Sequence, residues 1–157
     1  MKKLLFLILS VLMLCNGCSK SQMSEKDTLE KRSDIVSQLG RSSTKYYAIY
    51  DEFYADQKAF IDDLKNYENK FRKVCEIFDD CLDDMNEELP ADLYADDWNN
   101  AVSDIREIKT IVNEMTSIKS HTGGIPDEKE LDQIIQDNSD RYIKKLQLVI
   151  MKLSALE

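Results

Sequence analysis

From Tyr46 the apolar positions recur at steps of four and three: Tyr46, Tyr50, Phe53, Phe60, Leu64, Tyr67, Phe71, Val74, Phe78, Cys81 and Met85, with Gln57 as the one clearly polar member of the series. A repeat near 3.5 residues is the signature of a helix whose seam packs on other helices. A second series runs Tyr94, Trp98, Ala101, Ile105, Ile108, Val112, Met115, and a third runs Leu131, Ile135, Asn138, Tyr142, Leu146, Val149, Leu153, Leu156. Two successive steps of four in the third amount to a stutter. No segment alternates with the period of a strand. After residue 18, glycine and proline occur only at Gly40, at Pro90, and at Gly123, Gly124 and Pro126. Taken as punctuation, these divide the chain into helices over 24–39, 44–89, 91–120 and 127–156. Asp127, three residues before Glu130, marks the start of the last. The pattern predicts an all-α fold, an elongated antiparallel helical bundle of three main helices with a short N-terminal helix.

Length refines that arrangement. At 1.5 Å per residue a helix over 44–89 reaches about 65–70 Å and its two successors only about 45 Å. The uncovered end holds Tyr46, Tyr47, Ile49, Tyr50, Phe53 and Tyr54, and the short first helix, with Leu29, Ile35, Val36 and Leu39 on one face, is expected to fold back over it. The alternative is an open aromatic surface that receives a partner.

The first stretch follows another pattern. Lys2 and Lys3 precede an apolar run from Leu4 to Leu14, interrupted only by Ser10, then Cys15-Asn16-Gly17-Cys18 and polar sequence. This is the layout of an export signal, and the run is too short for a membrane-spanning helix, which needs about 20 residues. Leu14-Cys15-Asn16-Gly17-Cys18 resembles the lipobox of bacterial lipoproteins, with Cys15 where the family usually carries an aliphatic residue three before the modified cysteine. The resemblance covers the first 18 residues. It implies cleavage before Cys18 and acylation of Cys18 by a diacylglyceryl group and an N-acyl chain. It also implies attachment to the lipid bilayer of the cell envelope, at the outer membrane, since no Asp follows Cys18. Residues 1–17 are then a signal peptide, 18–27 a lipidated tether and 28–157 the bundle domain. The other reading is a secreted protein cut near Gly17.

Of the 157 residues, 32% are charged, with a formal net charge of −9; losing residues 1–17 removes Lys2 and Lys3 and no acid, which makes it −11. Such an excess disfavours nucleic acid, whose binding depends on Lys and Arg neutralising phosphates. Between Val74 and Ile105 stand Glu76, Asp79, Asp80, Asp83, Asp84, Glu87, Glu88, Asp92, Asp96, Asp97 and Asp104, without one Lys, Arg or His. Pro90 turns the chain within this run, so both halves meet at one pole. Asp92, Asp96 and Asp97 suit a helix start, but Asp79 to Glu88 close a helix, where negative charge is unfavourable, and stack acid on acid at spacing four. The functional reading is a docking pole for a basic protein or peptide, or a loose Ca²⁺ site. The plain one is a solvated run that maintains solubility. The EF-hand spacing is absent.

Other chemistry is sparse. Cys75 and Cys81 are too far apart along one helix to pair. Either the helix breaks, or the thiols are free, or they join two molecules, with Cys81 on the seam and Cys75 on its flank the more reactive. His121, the sole histidine, falls in the Gly-rich turn with no nucleophile or metal cluster beside it. No catalytic residues, metal ligands or cofactor are assigned. The expectation is a lipid-anchored, non-enzymatic protein-binding factor of the adaptor, inhibitor, exclusion or immunity type. A spacer lipoprotein is the alternative, and a cation-binding or hydrolytic envelope protein stands behind it. Oligomeric state is not legible.

Overall fold

A computed structural model describes residues 20–156, the side chain of His121 excepted. The described part is all-α. Its helices are α1 (Glu25–Ala55), α2 (Gln57–Asp62), α3 (Leu64–Glu87), α4 (Ala95–Glu114), α5 (Ile118–His121) and α6 (Glu128–Ser154), with 3₁₀ turns at Asp92–Tyr94 and Met115–Ser117. The third predicted segment, 91–120, is therefore helical with a 3₁₀ turn at its start and another near its end.

The main departure from the sequence pattern is at Gly40, which does not end a helix. α1 runs through it because an unbroken series of buried positions, Ile35, Leu39, Ser42, Tyr46, Ile49 and Phe53, crosses that point. Gly40 itself is exposed. A glycine there costs about 0.5–1 kcal/mol relative to alanine, which the burial on either side outweighs.

The break falls instead inside the segment expected as one helix over 44–89. Asp56 adopts φ −156°, ψ 89°, and its carboxylate accepts the amide of Ala59 at 2.9 Å, capping α2 in the usual way of an N-terminal Asp. Asp63 (φ −119°, ψ 35°) then separates α2 from α3. Residues 44–55 thus belong to the first long helix, and the expectation of three main helices with a short N-terminal one is corrected: α1, at 31 residues, is the longest.

Cross-helix bonds show how the helices run. Gln38 meets Asp84 while Glu52, further along α1, meets Lys70, earlier in α3, so these two helices point in opposite directions. Trp98 Nε1 donates to Met85 O at 3.1 Å and Lys109 pairs with Asp79, opposing α4 to α3. Arg141 grips Glu114 while Lys152 reaches Asp104, opposing α6 to α4. Finally Tyr46 meets Asn138 and Arg32 meets the carbonyl of Leu156, closing α6 back onto α1.

This ring of contacts explains the aromatic stretch. The first helix cannot fold back over residues with which it is continuous. Tyr46 is covered by α6 and α3: its ring stacks on Tyr142 at 3.9 Å between centroids and meets Phe71 edge-on at 5.7 Å. Its hydroxyl donates to Asn138 Oδ1 at 2.9 Å, and Asn138 Nδ2 donates to Ile111 O at 2.6 Å, so one buried amide joins α1, α4 and α6. Phe53 and Phe60 meet edge-on across the α1–α2 break. Only the outer tyrosines, Tyr47 and Tyr54, remain exposed.

The turns follow the expected punctuation more closely. α3 ends at Glu87 and the chain reverses through Pro90. Before α6, Gly123 takes φ +72°, a left-handed conformation open to glycine at little cost, and Asp127 caps the helix by accepting the Glu130 amide at 2.8 Å.

Candidate functional site

The acidic run surrounds the Pro90 corner, where the C-terminal half of α3 passes to the start of α4. Four elements end here: α3, α4, the start of α1 and the end of α6. The described part of the segment expected as a tether, 18–27, lies against this end. Leu89 N–H donates to Ser21 O at 2.9 Å and Met23 N–H to Leu89 O at 2.8 Å, a small parallel bridge that buries Met23. Thr28 Oγ1 accepts the amide of Ala91 at 3.0 Å, and α1 begins at Glu25 with Ser24 as its cap.

Of the nine carboxylates of the run from Asp79 to Asp97, where docking is expected, five find partners within the chain. Asp79 pairs with Lys109 and Glu87 with Lys31 at 3.2 Å. Asp84 accepts from Gln38 Nε2 at 2.5 Å. Glu88 accepts from Ser21 Oγ at 3.0 Å, and Asp92 from Gln22 Nε2 at 2.7 Å. The remaining four, Asp80, Asp83, Asp96 and Asp97, are exposed and make no hydrogen bond or ion pair with another described residue. Asp80 and Asp83 continue an exposed stripe on the outer face of α3 that begins at Glu76 and ends at Glu87. Asp96 and Asp97 occupy the first turn of α4, where the helix dipole favours them.

Lys109 and Lys31 offset part of the repulsion implied by acids stacked at spacing four, whereas Asp84 and Glu88 gain only neutral donors. Partly exposed pairs of this kind add at most about 1 kcal/mol each to stability, but they decide which carboxylates stay available. Sequence reasoning missed every one of these partners. Ser21, Gln22, Lys31, Gln38 and Lys109 all lie outside the run, and no local pattern links them to it. Asp104, counted into the same run, is instead buried and held by Lys152 Nζ at 2.5 Å and Lys145 Nζ at 3.8 Å.

A polar groove of about 560 Å³ lies along this end between α1 and α3, where Asp27, Glu30, Asp34 and Asp84 face Lys31 and Arg41. A smaller hollow of about 420 Å³ opens between α4 and α6 over Met115, Ile118 and Ile134, with the Glu114–Arg141 pair on its rim; none of the predicted site residues lines it. Among the described residues no group of three His, Cys, Asp or Glu side chains is placed to hold a metal ion.

Cys75 and Cys81 are both free and both buried. Cys81 Sγ donates to Gln38 Oε1 at 3.1 Å. The flank position therefore does not expose Cys75, and its expected greater reactivity is not supported by its surroundings. Burial pushes the Cys75 thiol up to about 11 and that of Cys81 up to about 12. A thiol held in its protonated form is a poor nucleophile. With Cys15 and Cys18 replaced by Ser, a thiol reagent at pH 8 is expected to modify neither cysteine in the folded chain and both in denaturant. Rapid native-state labelling of Cys75 would refute this.

The same shifts give a pH dependence. The folded chain holds these two protons above the ordinary cysteine value of about 8.5, whereas the unfolded chain releases them there, so the contribution is complete below that pH and is lost as pH rises towards 11–12. Burial raises the hydroxyls of Tyr46 and Tyr142 as well, adding loss at the alkaline end. The urea midpoint is expected to hold level from pH 7 to 8 and to fall by pH 10.5.

Cys18, the expected lipidation site, lies outside the described residues. Among those described, no helix is long and apolar enough to cross a membrane. No protein-family model, no curated protein and no solved structure matches the chain.

Proposed function

We propose that the protein is a lipid-anchored cell-envelope module, attached through acylated Cys18 and facing the periplasm or the surface. In this reading it binds a basic protein partner at its acidic pole and carries out no catalysis. The observation that carries the reading is the division of the acidic run: Asp80, Asp83, Asp96 and Asp97 are left exposed and without a partner among the described residues at one end of the fold, while Asp79, Asp84, Glu87, Glu88 and Asp92 are engaged from other elements. Exposed carboxylates at one end concentrate negative potential and steer a basic partner towards it. An elongated antiparallel bundle would hold that pole apart from the turn at Gly123–Pro126.

Reversing Asp80 and Asp83 to Lys tests the assignment, because both side chains are exposed and the fold should tolerate the change. Crosslinking in intact cells should trap a partner on the native chain and lose at least four-fifths of it on the double variant, with the melting temperature unchanged. The internal pairing of five carboxylates favours a second reading, a spacer lipoprotein whose charges serve only its own packing and solubility. Under that reading the double variant has no effect on any crosslink or phenotype.

A further inference from the structure

We infer that the Pro90 end of the bundle rests on a lipid surface, with Leu89 and Leu93 entering the headgroup boundary. This placement rests on the reading of Cys18 as acylated and adds to it an orientation and a contact surface. Leu89 and Leu93 flank the buried Pro90–Ala91 corner and are 48% and 69% exposed; one exposed leucine is ordinary, but these two share the end of the bundle that the chain reaches from Cys18.

The reach of the chain says what would cover them. Cys18 and Ser21 are three residue steps apart, and an extended chain advances at most about 3.6 Å per step. An acyl group at Cys18 therefore leaves the chain within about 11 Å of Ser21, whose carbonyl accepts the amide of Leu89. The bilayer that holds the acyl chains must lie against the end carrying the two leucines. The opposite end, at Asp56–Asp63 and Gly123–Pro126, has no such link and points away.

The charges at this end select the lipid. Glu88 and Asp92, the carboxylates next to the leucines in sequence, accept from the neutral donors Ser21 and Gln22, and Asp96 and Asp97 stand exposed one turn further on. Acids at the contact repel anionic headgroups and tolerate zwitterionic ones. The surface is therefore a zwitterionic lipid face, bound through apolar side chains and not through basic ones, and Asp80 and Asp83 on the outer face of α3, rather than the acids beside the leucines, are the carboxylates left to a protein partner.

The full gene product, extracted from membranes and returned to phosphatidylcholine vesicles carrying a headgroup quencher, tests the placement. An environment-sensitive fluorophore is attached in one sample through Leu93→Cys and in another through Ile125→Cys, a 62% exposed position in the far turn. Quenching at position 93 is expected to exceed that at 125 at least threefold. It should fall about twofold when a third of the lipid is replaced by phosphatidylglycerol. Equal quenching, or more at 125, overturns the orientation while leaving the anchor in place. Incorporation of labelled fatty acid into the wild-type chain and not into Cys18→Ser reports the anchor separately. Its absence overturns the anchor and the placement together.

Discussion

Trp98→Ala is expected to lower the unfolding free energy by about 3–5 kcal/mol, the usual range for truncating a buried aromatic ring. Trp98 is fully buried in the first half of α4, and its indole N–H donates to Met85 O at 3.1 Å. That carbonyl lies in the last turn of α3, where backbone acceptors lack partners within their own helix. The substitution therefore opens a cavity and removes a cap from the corner at once. For a domain of this size a loss of 3–5 kcal/mol corresponds to a fall in melting temperature of roughly 10 °C or more. Trp98→Phe, which fills most of the volume but donates no hydrogen bond, should lose less than half as much. Equal losses for the two variants would mean that the hydrogen bond, and not the packing, carries the effect.

Asn138→Leu is expected to cost about 2–4 kcal/mol although it increases the apolar content of the core. The amide links Tyr46 Oη and Ile111 O at 2.9 and 2.6 Å, and the leucine would leave both stranded in an apolar interior, at about 1–3 kcal/mol for each group without a partner. Tyr46→Phe removes one of those obligations and should cost about 1–2 kcal/mol alone. The double variant should then be less destabilised than the sum of the two, by about 1 kcal/mol or more, as for residues in direct contact. Additive losses in denaturant titrations would show that the hydroxyl and the amide do not depend on each other.

Legibility varied along the chain for identifiable reasons. The α4 and α6 seams could be read directly because nearly every position in them is large and apolar, and Asn138, the polar exception in α6, sits in the seam as a bonded group. α1 could not be read because its series passes through Ser42 and beside Gly40. Ser42 is tolerated in the core since its hydroxyl donates to Leu39 O at 2.8 Å within its own helix, so a polar letter occupies an apolar position. The true break at Asp56 contains neither glycine nor proline, and one aspartate among the 30 acids of the chain gives no warning. The acidic pole itself was legible as a run of like letters. Its electrostatics were not, because Lys31 and Lys109 reach it from helices that only folding brings near.

The closure of α6 onto α1 has a consequence for biosynthesis. Tyr46 and its partner Asn138 are 92 residues apart, and Arg32 reaches a carbonyl 124 residues away. A ribosome therefore delivers α1 long before the surface that will cover it, and contacts so distant in sequence form late and slowly. Until α6 emerges, the aromatic stripe of α1 is bare on that side. A nascent chain stalled or truncated ahead of Tyr142 would be a client for chaperones rather than a smaller version of the protein.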